Sequence, residues 1–87
     1  MSVFPNPIRG EASFEFDLDL AGRAQLEVFD VTGRRVRSWD ARSFSAGRSA
    51  LAWDGRDETG SRVPAGVYLV RVSADGRLGT RKVVVLK

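Results

Sequence analysis

Histidine and cysteine are both missing from the 87 residues. Every Ser-His or Cys-His nucleophile arrangement goes with them, and so do disulfides and most zinc chemistry. Chemistry here falls to carboxylates, arginines and aromatic rings. Asp54, Asp57 and Glu58 cluster in one short stretch. Hard cations such as calcium use carboxylates of this kind with backbone carbonyls, but the Asp-x-Asp-x-Asp-Gly spacing of an EF-hand is not met. The plainer reading is that Asp54 and Asp57 cap turns through their side-chain oxygens. No cofactor is expected, and calcium is the alternative for this loop. No serine has a base partner, and so small a chain has little room for a carboxylate pair in a cleft, so an enzyme is not expected.

The basic residues are 12 Arg against 2 Lys, for a net charge of +3. Arg34, Arg35 and Arg37 lie together, as do Arg77, Arg81 and Lys82. As strand residues, Arg35 and Arg37 would share an outward face. A nucleic-acid surface needs one basic stripe with aromatics interleaved, whereas acidic residues are mixed in here. A solvated face is the expectation, with no nucleic acid partner; a lipid phosphate or anionic glycan is the lesser alternative. Phe29, Trp39 and Phe44 could form a platform for sugar stacking, against the plainer reading of core or loop packing.

These groups must be positioned by strands. No helical period, internal repeat or low-complexity linker stands out. The longest apolar run, Val83-Val84-Val85-Leu86, is strand-sized, and no membrane insertion is expected. The start lacks the basic residues and apolar stretch of a signal peptide. Pro5 and Pro7 make an extended lead-in over Phe4 to Ile8. Ala12, Phe14, Phe16 and Leu18 alternate with polar residues, and Ala24, Leu26 and Val28 do the same, leaving Phe29 outward. Asp30 to Arg34 reads as a hairpin loop, with Gly33 in the left-handed position. Val36 then points inward, and Trp39 has the opposite parity, so either a bulge turns it to the core or it lies on the surface. Ala41 to Arg48 reads as a loop, and Ser49 to Trp53 as a strand with Leu51 and Trp53 inward. An Asp- and Gly-rich loop leads to the turn Pro64-Ala65-Gly66. Strands over Val67 to Ser73 and Leu78 to Leu86 follow, joined on the Asp75-Gly76 signal. Short strands punctuated by Gly and Asp predict a single all-β sandwich domain over 1–87.

Several segments together resemble one bacterial family. They are Pro5-Asn6-Pro7, Leu26 to Val36 with its Asp30-Val31-Thr32-Gly33 core, Trp53-Asp54-Gly55-Arg56-Asp57 through Val63-Pro64-Ala65-Gly66-Val67-Tyr68, and Lys82 to Lys87. The family joins the Ig-like domain of the flagellar hook-capping protein to the C-terminal sorting domains of type IX secretion substrates. The resemblance implies an Ig-like antiparallel β-sandwich of about seven strands. In the sorting branch it implies a non-catalytic C-terminal signal of an exported protein, read by outer-membrane secretion machinery and delivered through the periplasm to the cell surface or beyond. Met1 would then be a start created by excision from a longer parent. The residues carried over are Pro5, Asn6 and Pro7 as an opening motif, Gly33, Gly66 and Tyr68 as a central signature, and Lys82, Val83, Val84, Val85, Leu86 and Lys87 as a terminal strand. The long Trp-Asp-Gly-Arg-Asp loop is more like the hook-capping branch, which implies a structural module packing against neighbouring domains. A carbohydrate-binding accessory domain is the third alternative.

Overall fold

The computed structural model describes residues 2–18, 20–74 and 76–86. Met1, Asp19, Asp75 and Lys87, which carried expectations about the chain start, two turns and the terminal strand, lie outside the described residues. Seven strands follow one another: β1 Ser2–Arg9, β2 Glu11–Leu18, β3 Gly22–Asp30, β4 Arg35–Phe44, β5 Gly47–Trp53, β6 Gly66–Ala74 and β7 Arg77–Leu86. They are hydrogen-bonded in the order β4-β3-β6-β7-β1-β2-β5. All pairings are antiparallel except β1 with β7, which is parallel through Ile8↔Val85 and Arg9↔Leu86.

That order closes on itself as a sandwich. Ser2 to Phe4 of β1 pair with β2, and Ile8 and Arg9 pair with β7, with Arg9 also opposite Glu11, so β1 belongs to both layers. One layer is β4-β3-β6-β7 and the other β2-β5, with β1 bridging them. Phe14 on β2 meets Trp39 on β4 edge-to-face at 5.9 Å, and Phe16 meets Phe44 at 5.0 Å. These strands are remote in the hydrogen-bonded order, so the contacts run between layers, as in Ig-like sandwiches.

The alternating residues of β2 and β3 fill the core, with Phe14, Leu26, Val28, Trp53, Val70 and Val83 among its most buried members. Trp53 is the largest fully buried side chain. Trp39 reaches the core because β4 is bulged: Val28 pairs with Arg37 and Phe29 with Arg35, which leaves Val36 as an extra residue. The bulge changes the parity of the residues that follow, as far as a second irregularity between Trp39 and Arg42. Val36 and Trp39 both face the core, although they are three apart. For the same reason Arg35 and Arg37 do not share an outward face, contrary to the sequence expectation.

The expected loop over Ala41 to Arg48 is also corrected. Strand β4 continues to Phe44, which pairs with Gly22, and β5 already begins at Gly47. Two residues, Ser45 and Ala46, cross between the layers. Polar Arg42 and Ser43 conceal this strand end in the sequence, whereas packing of Phe44 on Phe16 holds it.

Candidate interaction surface

Two turns of the molecule are built alike. In Asp30-Val31-Thr32-Gly33-Arg34, one Asp30 oxygen accepts from Thr32 N at 3.0 Å, Thr32 Oγ1 at 2.6 Å and Arg34 N at 3.0 Å. In Asp57-Glu58-Thr59-Gly60-Ser61, one Asp57 oxygen accepts from Thr59 N at 2.9 Å, Thr59 Oγ1 at 2.6 Å and Ser61 N at 3.1 Å. Gly33 and Gly60 both sit at φ +87°. Asp-x-Thr-Gly is therefore an internal repeat of turn chemistry, which the sequence reading passed over. The Thr32 hydroxyl, with the Arg34 and Thr32 amides, holds the Asp30 carboxyl below its ordinary range against the pull of burial. The Thr59 hydroxyl and the Thr59 and Ser61 amides do the same for Asp57.

The other loop carboxylates are engaged elsewhere. Burial acts to raise the Asp54 carboxyl, but the Arg56 amide and the Arg37 guanidinium keep it lowered. Glu58 reaches across to β4, where its carboxylate accepts from Ser38 N at 2.5 Å and Ser38 Oγ at 3.0 Å. Its own N–H donates to Val36 O at 3.1 Å. Asp54, Asp57 and Glu58 thus point to three different partners. No group of three metal-ligating side chains occurs among the described residues.

The loop is tied down from below. The Trp53 indole N–H donates to Arg56 O at 3.0 Å, and Arg37 donates to the same oxygen at 2.9 Å while lying 5.0 Å above the Trp39 ring. Val63 N donates to Gly55 O at 3.0 Å, closing the loop into a small hairpin. A Cβ on Gly55 would lie 2.2 Å from Gly10 O, so only glycine allows this approach of β1–β2 to the loop. Tyr68 OH donates to Pro64 O at 2.6 Å, resembling the tyrosine corner of Ig domains. Burial raises the Tyr68 phenol above its ordinary value.

The opening motif, Gly66, Tyr68 and the terminal strand come together on one flank. Gly66 pairs with Val85 and Tyr68 with Val83. Asn6, exposed between Pro5 and Pro7, accepts from Val84 N at 3.4 Å. On β7, Val83 and Val85 are buried, Lys82 is exposed, and Val84 and Leu86 are half-buried. Gly33 lies outside this ladder, in the β3–β4 turn.

The basic clusters are dispersed by their partners. Arg34 pairs with Asp30 at 3.4 Å, and Arg35 with Glu27 at 3.3 Å. Glu27, only 7% exposed on the outward side of β3, also takes Arg71 at 2.8 Å. The Arg71 hydrogen bond leads in holding its carboxyl low, against burial, with Arg35 assisting. Alternation placed Glu27 outward but did not reveal this triad, because Arg71 lies 44 residues away. The sugar-stacking platform does not form. Phe29 lies 4.7 Å beneath Arg71, and Phe44 is packed between Phe16 and Arg42. Trp39 is likewise sandwiched between Phe14 and Arg37.

A cleft does open, contrary to expectation for so small a sandwich. It measures about 600 Å³ and lies where the end of β1, the loop hairpin and the end of β7 meet.

The model of the FlgD Ig-like domain family matches residues 5–77. Among solved structures, dimeric latent PorU from Porphyromonas gingivalis contains a region 25% identical, with TM-score 0.81, over 98% of this chain and 9% of that one. PorZ, a surface component of the type IX secretion system of the same organism, matches at 23% identity and TM-score 0.68, over 99% of this chain and 11% of that one. FlgD from Xanthomonas campestris, from a study of hook capping in flagellar assembly, matches at 29% identity and TM-score 0.66, over 86% of this chain and 55% of that one. This chain therefore spans about a tenth of PorU and PorZ and about half of that FlgD. No curated protein sequence matches it. With the family model covering most of a seven-stranded Ig-like sandwich, the chain belongs to the FlgD Ig-like domain family.

Proposed function

We propose that this domain is a non-catalytic sorting and surface-attachment domain at the C-terminal end of an exported bacterial protein. Outer-membrane secretion machinery would read it after passage through the periplasm and deliver its cargo to the cell surface or the outside. The observation that carries the reading is the fit to PorU over 98% of the chain at TM-score 0.81, against 86% and 0.66 for the X. campestris FlgD. The surface to be read is the flank where Asn6 meets Val84 and where Gly66 and Tyr68 pair with β7. Export of a reporter fused to residues 1–87, in a bacterium with type IX machinery, tests it. Surface delivery that the unfused reporter lacks is expected; a fused reporter left in the periplasm would overturn the reading for that host.

The family match favours a second reading, a structural Ig-like module that packs against neighbouring domains of its parent. Its loop hairpin, fastened to the edge of β4, suits a rigid spacer. That reading expects the reporter to stay in the periplasm while the domain remains folded.

A further inference from the structure

Of the twelve arginines, ten are engaged by carboxylates, carbonyls, aromatic rings or other partners. The side chains of Arg9 and Arg62 make no hydrogen bond, ion pair or ring contact among the described residues, and both residues line the same cleft. Its remaining wall is chiefly apolar, from Val63, Pro64, Val85 and Leu86. The Arg62 guanidinium lies over the Gly10–Gly55 contact. Its Nη1 is 3.6 Å from where a Cβ on Gly10 would stand and 3.5 Å from one on Gly55. The close approach of two glycines thus makes a shelf for a cation, and no carboxylate among the described residues lines the cleft. A volume of about 600 Å³ is within the range of small-molecule sites. Guanidinium groups match carboxylate and phosphate oxygens in a planar fork.

We propose that this cleft binds an organic oxyanion, a carboxylate or phosphate, carried on a short apolar stem. The head group lies between Arg9 and Arg62, and the stem lies along Val63, Val85 and Leu86. This goes beyond the sorting reading and does not depend on it.

Amide NMR spectra of the domain, titrated separately with hexanoate, hexyl phosphate and inorganic phosphate, test it. Saturable shifts at Gly10, Gly55, Val63 and Leu86 are expected with at least one hexyl probe, and weaker binding with inorganic phosphate. The tighter of the two hexyl probes identifies the head group. Arg62→Gln and Arg9→Gln should each weaken binding by about tenfold, the loss of a charged hydrogen bond. Both should leave the melting temperature unchanged, and Arg62→Lys should restore part of the binding. Arg23→Gln, whose guanidinium is bound to Ala41 O, should leave affinity as it is. Absence of saturable shifts with both hexyl probes, or affinity as tight as the unsubstituted domain's in Arg62→Gln and Arg9→Gln, would overturn the site. Inorganic phosphate binding as tightly as hexyl phosphate would overturn the role of the apolar wall.

Discussion

The turns at Asp30–Arg34 and Asp57–Ser61 share their hydrogen bonds almost atom for atom, yet they sit in different surroundings. The first is a bare hairpin tip, where Val31 stands 72% exposed. In the second the same position is Glu58, which grips Ser38 and Val36. Those groups belong to β4, an outermost strand in the hydrogen-bonded order. An open strand edge is a template for unwanted pairing, and covering it with a loop is one remedy. The shared Asp, Thr and Gly set the bend, and the variable residue between Asp and Thr decides whether the bend also guards an edge.

The contrast is broken most severely from beneath the second turn. Trp53→Ala removes the buried ring and the donor to Arg56 O, and should cost about 3–5 kcal/mol in chemical unfolding. That is enough to unfold so small a domain. Next comes Gly55→Ala, whose Cβ would meet Gly10 O at 2.2 Å at a φ of +76°; a loss of about 2–4 kcal/mol is expected. Gly33→Ala meets nothing within 4 Å, so only its positive φ counts, and about 1 kcal/mol should suffice. Equal losses at Gly55 and Gly33 would contradict the difference in surroundings. Glu58→Ala should cost about 1 kcal/mol and speed hydrogen exchange at the Ser38 amide, whereas Val31→Ala should stay within about 0.5 kcal/mol. Unchanged exchange at Ser38 would remove the edge-guarding role.

Acid provides a milder probe of what the turns share. Asp30 and Asp57 both have lowered values in the folded chain. Their contribution is therefore present above the ordinary carboxylate value of about 4 and is lost as the pH falls through the lowered values. Thermal melts from neutral pH to pH of about 2 should show this decline, and Asp57→Ala should flatten it. A decline of the same size in Asp57→Ala would assign the acid sensitivity elsewhere.

The strands were legible wherever one face alternates over several residues, as in β2 and β3, because burial on one side imposes that pattern directly. Strand β4 was less so. The bulge at Val36 breaks the alternation, and the strand's far end is held by Phe44 against another layer. The Asp-x-Thr-Gly repeat was present in the letters, since Asp30-Val31-Thr32-Gly33 and Asp57-Glu58-Thr59-Gly60 differ at one position. It is too short to register as a structural repeat unless the Asp oxygen is followed to its donors. The Arg9–Arg62 cleft was illegible, because its two arginines are far apart in the chain and line one cleft only once the Gly10–Gly55 contact forms. The resemblance named the opening motif and terminal strand without showing that Asn6 touches β7.

That contact determines how the sorting proposal is best tested. Deleting residues 82–87 would also remove the buried Val83 and Val85, so lost export could follow from unfolding alone. Exposed Asn6 and Lys82 offer a cleaner change. The decisive measurement is surface delivery of a reporter fused to the Asn6→Ala, Lys82→Glu double variant, with its melting temperature taken alongside. A folded domain whose cargo stays in the periplasm is expected. Undiminished delivery by the folded variant would contradict the reading that this flank is what the secretion machinery recognises.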